Sequence, residues 1–326
     1  MPRTATVPEM SGLPVPFGWF HVGWPSDVAP GQAIPLRYCD RHLVLWRDSE
    51  GVAHLHDAFC PHLGAHLGHG GRVVDGDLAC PFHGWCFDRD GANTAIPDST
   101  RTNARARLTR HPLVEVNGLL MAWLHPEGEP PSWELPELPE FADPDGFTEP
   151  WHREWEVAAP WQEMAENGAD SAHFGFVHGQ EIVPSIDSYE TDGPIAVMRS
   201  TQRWPTPDGV VDAFVEATSY GPGFSVVRMT GVIDTVSIGC NTPVSRDRCH
   251  MRFAFVVREL DDPAMTELVG DGFVGVLTEQ IGEDIAIWEH KAHLTRPALA
   301  DTDGPIMQFR SWASQFYLEP ESTDTF

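Results

Sequence analysis

Short apolar runs separated by turn residues fill the chain from about residue 15 to residue 126. Residues 43–46 and 52–55 flank a turn at 49–51, and residues 72–74 and 78–79 flank Asp75-Gly76-Asp77. Residues 113–116 and 119–123 flank Asn117-Gly118, a dipeptide typical of two-residue hairpin turns. The pattern predicts an all-β domain over residues 15–126, preceded by a tail of residues 1–14.

The pattern changes after this domain. Residues 127–149 are rich in Pro and Glu, which exclude a regular helix or a central strand, so a linker is predicted there. Residues 150–326 combine a predicted helix over 161–174, strand-like runs between about 190 and 258, and a long helical pattern over about 262–291. The sequence therefore predicts an α+β protein whose second domain mixes helices with strands.

Composition and charge narrow the class of protein. A chain of 326 residues suits two domains better than one small core. It has no run of about 18 apolar residues and no apolar core of a signal peptide at its start, so no membrane span and a cytoplasmic location are predicted. The net charge of −27 disfavours nucleic-acid binding. The same negative charge either serves only to keep the protein soluble or also attracts a cationic redox partner.

Two Cys/His pairs form the first candidate site. Cys60-Pro-His62 and Cys80-Pro-Phe-His83 each follow a predicted strand, and the hairpin at residues 75–77 brings the two loops together. Two thiolates and two imidazoles could hold zinc, but the Cys-x-His spacing is unusual for zinc sites. A Rieske [2Fe–2S] centre needs two Cys on one iron and two His on the other. The pattern favours this cluster, with structural zinc and a chance arrangement as the alternatives.

The second candidate site begins with His173 and His178. On a regular helix their side chains would point about 140° apart, so the segment must end or distort between them, and Gly175 is the predicted place. Two His and one carboxylate form the facial triad of non-haem Fe(II) oxygenases. Asp170, three residues before His173, could bond its ring N–H. Asn167 lies one turn further back, either at the site or as an amide on the helix surface.

The carboxylate must come from elsewhere in the chain. Asp284 shares one face of the long predicted helix with apolar residues, and a carboxylate inside an apolar stripe is costly unless it is paired or bound to metal. Glu283, together with Glu279 and His290, is predicted on a solvated face. We therefore choose Asp284 as the third ligand, with an Arg-paired or turn-capping Asp as the alternative.

The whole chain resembles the α-subunits of Rieske non-haem iron oxygenases. Among these it is most similar to the group of 3-ketosteroid 9α-hydroxylase oxygenase components and cholesterol 7-desaturases. The resemblance rests on residues 20–24, 60–66, 80–85, 117–123, 131–136, 167–178, 284–291, 303–305 and 315–317. The stretch after His178 is less aromatic than in the steroid hydroxylases. The shape of the pocket and the identity of the substrate are therefore the properties that the resemblance predicts least well.

The resemblance implies a Rieske β-domain joined to a helix-grip catalytic domain in a head-to-tail homotrimer. It implies that Asp170 bridges His173 to the cluster ligand His83 of the neighbouring subunit. It also implies two sets of metal ligands, Cys60, His62, Cys80 and His83 for the [2Fe–2S] cluster and His173, His178 and Asp284 for a mononuclear Fe(II).

The predicted function is a terminal oxygenase that hydroxylates or desaturates an apolar polycycle, such as a steroid or sterol, with O2. An NAD(P)H-dependent reductase or a ferredoxin would supply electrons. The expected pocket is lined by apolar residues from the strands at 210–257 and the long helix. The alternatives are an aromatic-ring oxygenase or O-demethylase of the same superfamily, and a Rieske electron carrier without mononuclear iron.

Overall fold

A computed structural model of the chain describes residues 12–142, 146–206 and 209–318, and these form two compact units. Gly18–Glu137 make up one unit; residues from Leu138 onward, with the short segment before Gly18, make up the other. Residues 1–11 of the predicted tail and residues 319–326 of the predicted second domain lie outside the described residues. No described helix has the length and apolar character needed to cross a bilayer.

The regular elements of the first unit are short antiparallel strands, as predicted, apart from a 3-10 turn at Pro25–Asp27. They form three sheets, with the orders β1-β11-β10, β2-β3-β4-β9 and β5-β6-β7-β8. Their bounds are β1 Gly18–Gly23, β2 Ala33–Tyr38, β3 Arg41–Arg47, β4 Ala53–Asp57, β5 Arg72–Val74, β6 Asp77–Ala79, β7 Cys86–Phe87, β8 Asn93–Ala95, β9 Arg110–His111, β10 Leu113–Val116 and β11 Leu119–Leu124.

The turn signals of the sequence act as expected in this unit. Asn117 and Gly118 join β10 to β11 with φ values of 53° and 74°, the left-handed pair that a type I′ turn requires. Asp75 and Gly76 do the same between β5 and β6, with φ values of 52° and 90°. This second hairpin holds the start of the loop at Cys80, so a local turn preference positions a candidate ligand.

The second unit contains a seven-stranded antiparallel sheet of order β12-β18-β17-β16-β15-β14-β13. Consecutive strands pair from β13 to β18, and β12 joins beside β18. The strands are β12 Trp151–Val157, β13 Ser185–Asp192, β14 Ile195–Thr206, β15 Gly209–Tyr220, β16 Ser225–Thr230, β17 Thr235–Ser245 and β18 Arg248–Val257. The helices are α1 Pro139–Ala142, α2 Trp161–Ala165, α3 His173–Phe176, α4 Pro263–Trp288 and α5 Ile306–Ala313.

Helix α4 is the long helix that the sequence predicts, and it packs on the sheet. Its 26 residues span roughly 39 Å at 1.5 Å per residue. Val274 lies in a buried apolar cluster with Phe255 and Val257 of β18. A Cβ at Gly270 would lie 2.9 Å from Val257 Cγ2, so the missing side chain lets the helix approach the sheet closely. The predicted α+β fold class is confirmed.

The predicted helix over residues 161–174 is wrong as a single element. Helix α2 ends at Ala165, a 3-10 turn covers Glu166–Ala169, and α3 begins only at His173. Between them Asp170 is extended, with φ −110°, and its Oδ1 accepts a hydrogen bond from the Ala172 backbone N–H at 2.9 Å. A short Asp side chain that bonds the backbone two residues ahead competes with helix continuation.

The helix ends between the two histidines, as predicted, but one residue later than the predicted Gly175. Gly175 lies inside α3, which ends at Phe176. Directly after His178 the chain turns at Gly179, whose φ of +62° is the left-handed conformation that glycine adopts easily.

Candidate metal sites

The two Cys/His loops of the first unit have the same backbone hydrogen bonds. The N–H of Cys60 donates to Ala65 O at 2.8 Å, and Gly64 donates back to Cys60 O at 2.9 Å. In the second loop, Cys80 donates to Trp85 O at 2.9 Å, and Gly84 donates to Cys80 O at 3.0 Å. Both loops therefore present their Cys and His side chains from one repeated backbone conformation.

The side chains of these loops suit a cluster with two kinds of ligand. Cys60 and Cys80 belong to one buried apolar cluster, whereas the rings of His62 and His83 lie nearer the surface, with centroids 4.8 Å apart. Burial, together with the neighbouring Cys80 thiol, raises the pKa of the Cys60 thiol to about 11. A thiolate at this place therefore needs positive charge beside it, which a metal supplies.

The His62 ring is held in a fixed orientation. It stacks on the indole of Trp85 at 4.3 Å with planes 8° apart. Its Nδ1 is buried and has no hydrogen-bond partner among the described residues, as expected for an atom that binds metal. Two thiols on one side and two imidazoles on the other fit a Rieske [2Fe–2S] cluster.

A second ligand set lies in the other unit, where α3 meets α4. One ligand atom from each of His173, His178 and Asp284 lies within 4.8 Å of the others. His178 Nε2 is 3.5 Å and His173 Nε2 is 3.9 Å from Asp284 Oδ1. The structure thus brings together the two histidines and the carboxylate that the sequence singles out, in an arrangement that fits a facial triad.

The electrostatics of this site favour a cation. Burial raises the pKa of the Asp284 carboxyl to about 6, and burial lowers the pKa of the His173 ring. In both groups the cost of burying a charge outweighs the compensating interactions of the surrounding protein. Asn167 lies at the site, since its Nδ2 donates to Asp284 Oδ2 at 2.9 Å and is 3.3 Å from His173 Nε2.

Asp170 lies beside His173 but does not bond it. Its Oδ2 is 3.9 Å from His173 Nδ1, which is too long for a hydrogen bond. The cause is the extended backbone at Asp170, which breaks the helical spacing that the prediction assumed. Within the described part of the chain, the buried His173 Nδ1 has no hydrogen-bond partner.

Glu283 is a site residue that the sequence reasoning assigned to a solvated face. Its Oε2 lies 2.7 Å from His178 Nδ1, so the carboxylate accepts the ring N–H. Adjacent residues of a helix point about 100° apart, and the 173–178 segment lies where it can meet both Asp284 and Glu283. An acidic pair on a helix that faces two histidines is the signal that could have found this contact.

An apolar cavity of about 250 Å³ opens beside the His–His–Asp set. As expected, strands β15 to β18 and helix α4 line it, and β14 contributes as well. Its floor includes a row of register neighbours that crosses the sheet from Met198 through Ala217, Val227 and Ser237 to Phe255. A metal held by the three ligands would therefore face a site for an apolar molecule.

Comparisons with known proteins agree with this arrangement. The family model of the Rieske [2Fe-2S] domain matches residues 18–112, and that of the 3-ketosteroid 9alpha-hydroxylase C-terminal domain matches residues 122–317. The fold is similar to dicamba monooxygenase bound to dicamba, with a TM-score of 0.75, 20% identity, and coverage of 94% of this chain and 98% of that chain. NdmB of Pseudomonas putida CBB5 aligns with a TM-score of 0.72, 19% identity, and coverage of 90% and 89%.

The two family models and the oxygenase-component relatives show that the chain is a Rieske oxygenase, an oxidoreductase that acts as the oxygenase component of a system drawing electrons from a partner protein. Within this class it belongs to the 3-ketosteroid 9α-hydroxylase family. It is 32% identical over 322 residues to the oxygenase component of 3-ketosteroid-9-alpha-monooxygenase from Rhodococcus rhodochrous, covering 93% of this chain and 84% of that protein. It is 30% identical over 339 residues to cholesterol 7-desaturase from Caenorhabditis elegans, covering 93% and 77%.

Proposed function

We propose that this chain hydroxylates or desaturates an unactivated C–H bond of an apolar polycycle of the steroid or sterol type, using O2. The observation that carries the proposal is the opening of the His173, His178 and Asp284 set onto the apolar cavity. Relatives named for 3-ketosteroid oxidation and for cholesterol desaturation support this substrate class.

In this proposal, Cys60, His62, Cys80 and His83 hold a [2Fe–2S] cluster, and His173, His178 and Asp284 hold a mononuclear Fe(II). Ferrous iron with three protein ligands supplies open coordination positions for O2 chemistry. The protein's part is positional. Asn167 holds one Asp284 oxygen, Glu283 fixes the His178 ring, and apolar walls keep water away from the reacting bond.

The cavity has the character of a site for a largely apolar molecule. Its volume of about 250 Å³ is close to the lower end of small-molecule sites, which run from roughly 300 to 1,000 Å³. On the sheet side its polar side chains are the buried Ser200, Gln202 and Ser237, and Gln202 Oε1 accepts the N–H of Trp204 at 3.0 Å. Such a lining orients a substrate through few polar contacts.

The proposed assembly is a head-to-tail homotrimer. Phe59, Leu63 and Phe82 are exposed around the Cys/His loops, and Phe176, which is 95% exposed, lies between the two histidines of the other site. A neighbouring copy of the chain would cover such apolar side chains. Asp170 is partly exposed, so its carboxylate could connect His173 to His83 of the neighbouring subunit. We further propose an NAD(P)H-dependent reductase or ferredoxin as the electron donor, and a cytoplasmic location.

The other functions have less support. An aromatic-ring oxygenase or an O-demethylase is suggested only by a shared fold at about 20% identity. An electron carrier needs no His–His–Asp set at an apolar cavity, and the full-length relatives are oxygenase components and desaturases.

Metal analysis tests the assignment of the two sites. Protein reconstituted with iron and sulfide without oxygen should contain about three irons per chain, two in the cluster and one at the triad. Asp284→Ala should contain about two, with an unchanged Rieske electron paramagnetic resonance signal after reduction. Asp271→Ala, at an exposed position of the same helix, is the matched control. Three irons in Asp284→Ala, or zinc in place of the cluster, would refute the assignment.

Oxygen uptake tests the substrate class. With a surrogate reductase, the three-iron protein should consume O2 with steroids and sterols and not with aromatic acids. Uptake with aromatic acids alone would favour the aromatic-ring alternative. Product analysis by mass spectrometry then separates hydroxylation, a gain of one oxygen, from desaturation, a loss of two hydrogens.

A further inference from the structure

A second cavity of about 250 Å³ lies next to the first one and is also lined by Asn167 and Asp284. The two cavities share the Met198, Ala217 and Val227 row of the sheet. We call the cavity beside His173 and His178 the outer cavity and this second one the inner cavity.

The register of the sheet shows how the two cavities follow one another. On β14, Ser200 lines only the outer cavity, Met198 lines both, and Ala196 lines only the inner one. Ser200 and Ala196 are four residues apart, which is roughly 13 Å along a strand. The inner cavity therefore extends the outer one along the strands, and Asp284, one ligand of the proposed iron, lines both cavities.

The inner cavity ends in aromatic side chains. Trp161, Phe224, Trp288, Phe309 and Trp312 all line it, and all are buried. Flat, rigid walls of this kind suit the ring system of an apolar polycycle better than a flexible chain. With the inner cavity included, the space beside the metal ligands suits an elongated molecule with its middle at the junction.

Two polar atoms of this aromatic end have no partner. The Nε1–H of Trp312 and the Oδ1 of Asn241 are buried, and neither makes a hydrogen bond to any described residue. Trp161, which lines the same cavity, differs because its Nε1–H donates to Pro222 O at 2.5 Å. A buried donor or acceptor without a partner is unfavourable, and native proteins seldom leave one without a ligand or an ordered water.

We propose that the inner cavity binds the hydroxyl-bearing end of the substrate. A hydroxyl group has both capacities that these atoms call for, since it can donate to Asn241 Oδ1 and accept from Trp312 Nε1–H. A ketone can only accept, and a hydrocarbon end satisfies neither. The inference rests on the proposed function and deepens it, because it selects alcohols among apolar polycycles. It also places the oxidised C–H in the middle of the skeleton, at the junction of the two cavities.

Equilibrium binding of three matched ligands tests this subsite without turnover. The probes are androstane, its 3-hydroxy derivative and its 3-keto derivative, titrated anaerobically into reconstituted protein. Quenching of intrinsic tryptophan fluorescence reports binding, since three tryptophans line the inner cavity. We expect the alcohol to bind about tenfold more tightly than the ketone, and the hydrocarbon to bind most weakly.

Two substitutions of one kind separate the subsite from a general effect of the cavity wall. Trp312→Phe removes the unpaired N–H and should weaken binding of both the alcohol and the ketone relative to the hydrocarbon, because both oxygens accept from it. Trp161→Phe removes an N–H that is already bonded to Pro222, so these relative affinities should stay as in the unchanged protein. Asn241→Leu should reduce the alcohol-to-ketone affinity ratio to about one third or less, because it removes the acceptor for the hydroxyl proton.

The possible outcomes are distinct. Equal affinity for alcohol and ketone in the unchanged protein would overturn the hydroxyl subsite and leave the proposed oxidation of apolar polycycles intact. Such a result would mean that ordered water forms the hydrogen bonds to Trp312 Nε1–H and Asn241 Oδ1. An unchanged alcohol-to-ketone ratio in Asn241→Leu, or equal effects of Trp312→Phe and Trp161→Phe on the affinities of alcohol and ketone relative to the hydrocarbon, would overturn it as well. Failure of all three ligands to bind would overturn the proposed substrate class together with the subsite.

Discussion

The ring of His178 donates its Nδ1–H to Glu283 at a distance of 2.7 Å, and this bond fixes which nitrogen faces Asp284. Nε2 is then the ring nitrogen that faces Asp284, 3.5 Å from its Oδ1. The Nδ1 of His173 has no such hydrogen bond to a described residue, because the nearest Asp170 oxygen is 3.9 Å away. The two candidate histidine ligands are therefore unequal, and His178 is the one whose orientation is set before a metal binds.

Removal of the Glu283 carboxylate should weaken binding of the mononuclear iron. Loss of the partner of a metal-bound His typically costs 10- to 100-fold in metal affinity, so we expect a loss of roughly that size for Glu283→Ala. Anaerobic Fe(II) titration of protein that retains only its cluster measures this affinity. Glu283→Gln keeps an acceptor and should recover most of it.

The matched control for this prediction is Glu279→Ala, one turn away at an exposed position of α4. It should bind Fe(II) like the unchanged protein. If Glu283→Ala and Glu279→Ala bound Fe(II) equally well, the orienting role of Glu283 would be wrong.

The contrast between Glu283 and the Cys/His loops shows what a sequence can reveal of such a site. Cys60 and His62 lie in one short motif, so their common role follows from local spacing and from the turn residues around them. Glu283 meets His178 across 105 positions of the chain, and the contact depends on how α4 is rotated against the 173–178 segment. Periodicity identifies the apolar stripe that includes Asp284, but it does not show which flank of that stripe meets another segment.

The error over residues 161–174 has a different physical origin. Their apolar spacing favours a helix, and helices do form at both ends of the segment. In the middle, the Asp170 side chain bonds the Ala172 N–H, and this local alternative outweighs helix propensity. Propensity is a weak preference that a single side-chain bond can override, so the exact backbone around a site is the part least open to prediction.

The two glycines of the Cys/His loops should differ in their tolerance of alanine. Gly64 and Gly84 both have positive φ, at 76° and 68°, so alanine costs roughly 1–2 kcal/mol at either position. A Cβ at Gly84 would also lie 3.0 Å from Pro97 Cγ, whereas one at Gly64 meets nothing within 4 Å. Heating with detection of cluster absorbance should show a greater loss of stability for Gly84→Ala. Equal melting temperatures for the two variants would contradict this.

The buried His56 should make the first unit less stable in mild acid. Burial lowers its pKa to about 3 from an ordinary value of 6.5, and the nearby charges of His54, His111 and Arg110 act in the same direction. Between about pH 3 and pH 6.5, His56 is protonated in the unfolded chain but not in the folded protein. The free energy of unfolding therefore falls as pH drops below 6.5, by up to about 1.4 kcal/mol per pH unit.

His56→Gln tests this dependence because an amide does not titrate. Trp46 Nε1 donates to His56 Nδ1 at 3.1 Å, and the oxygen of Gln can accept the same hydrogen bond. Between pH 7 and pH 5 the melting temperature of the variant should fall less steeply than that of the unchanged protein. Parallel curves would show that other groups cause the acid sensitivity.

A bulky side chain at Ala217 should exclude substrate without disturbing either metal site. Ala217 lies in the row between Met198 and Val227 that lines both cavities, so Ala217→Phe places a ring at their junction. Overpacking of this kind costs about 1–3 kcal/mol, and 1.4 kcal/mol is a tenfold change in affinity, so we expect steroid binding to weaken roughly 5- to 150-fold. Glu216→Phe is the matched control, because it puts the same ring on the opposite face of β15, where Glu216 pairs with Arg199 at 2.9 Å. This variant should bind steroid normally.

Fluorescence titration and iron analysis of both variants check the prediction. Normal steroid binding by Ala217→Phe would place the substrate elsewhere.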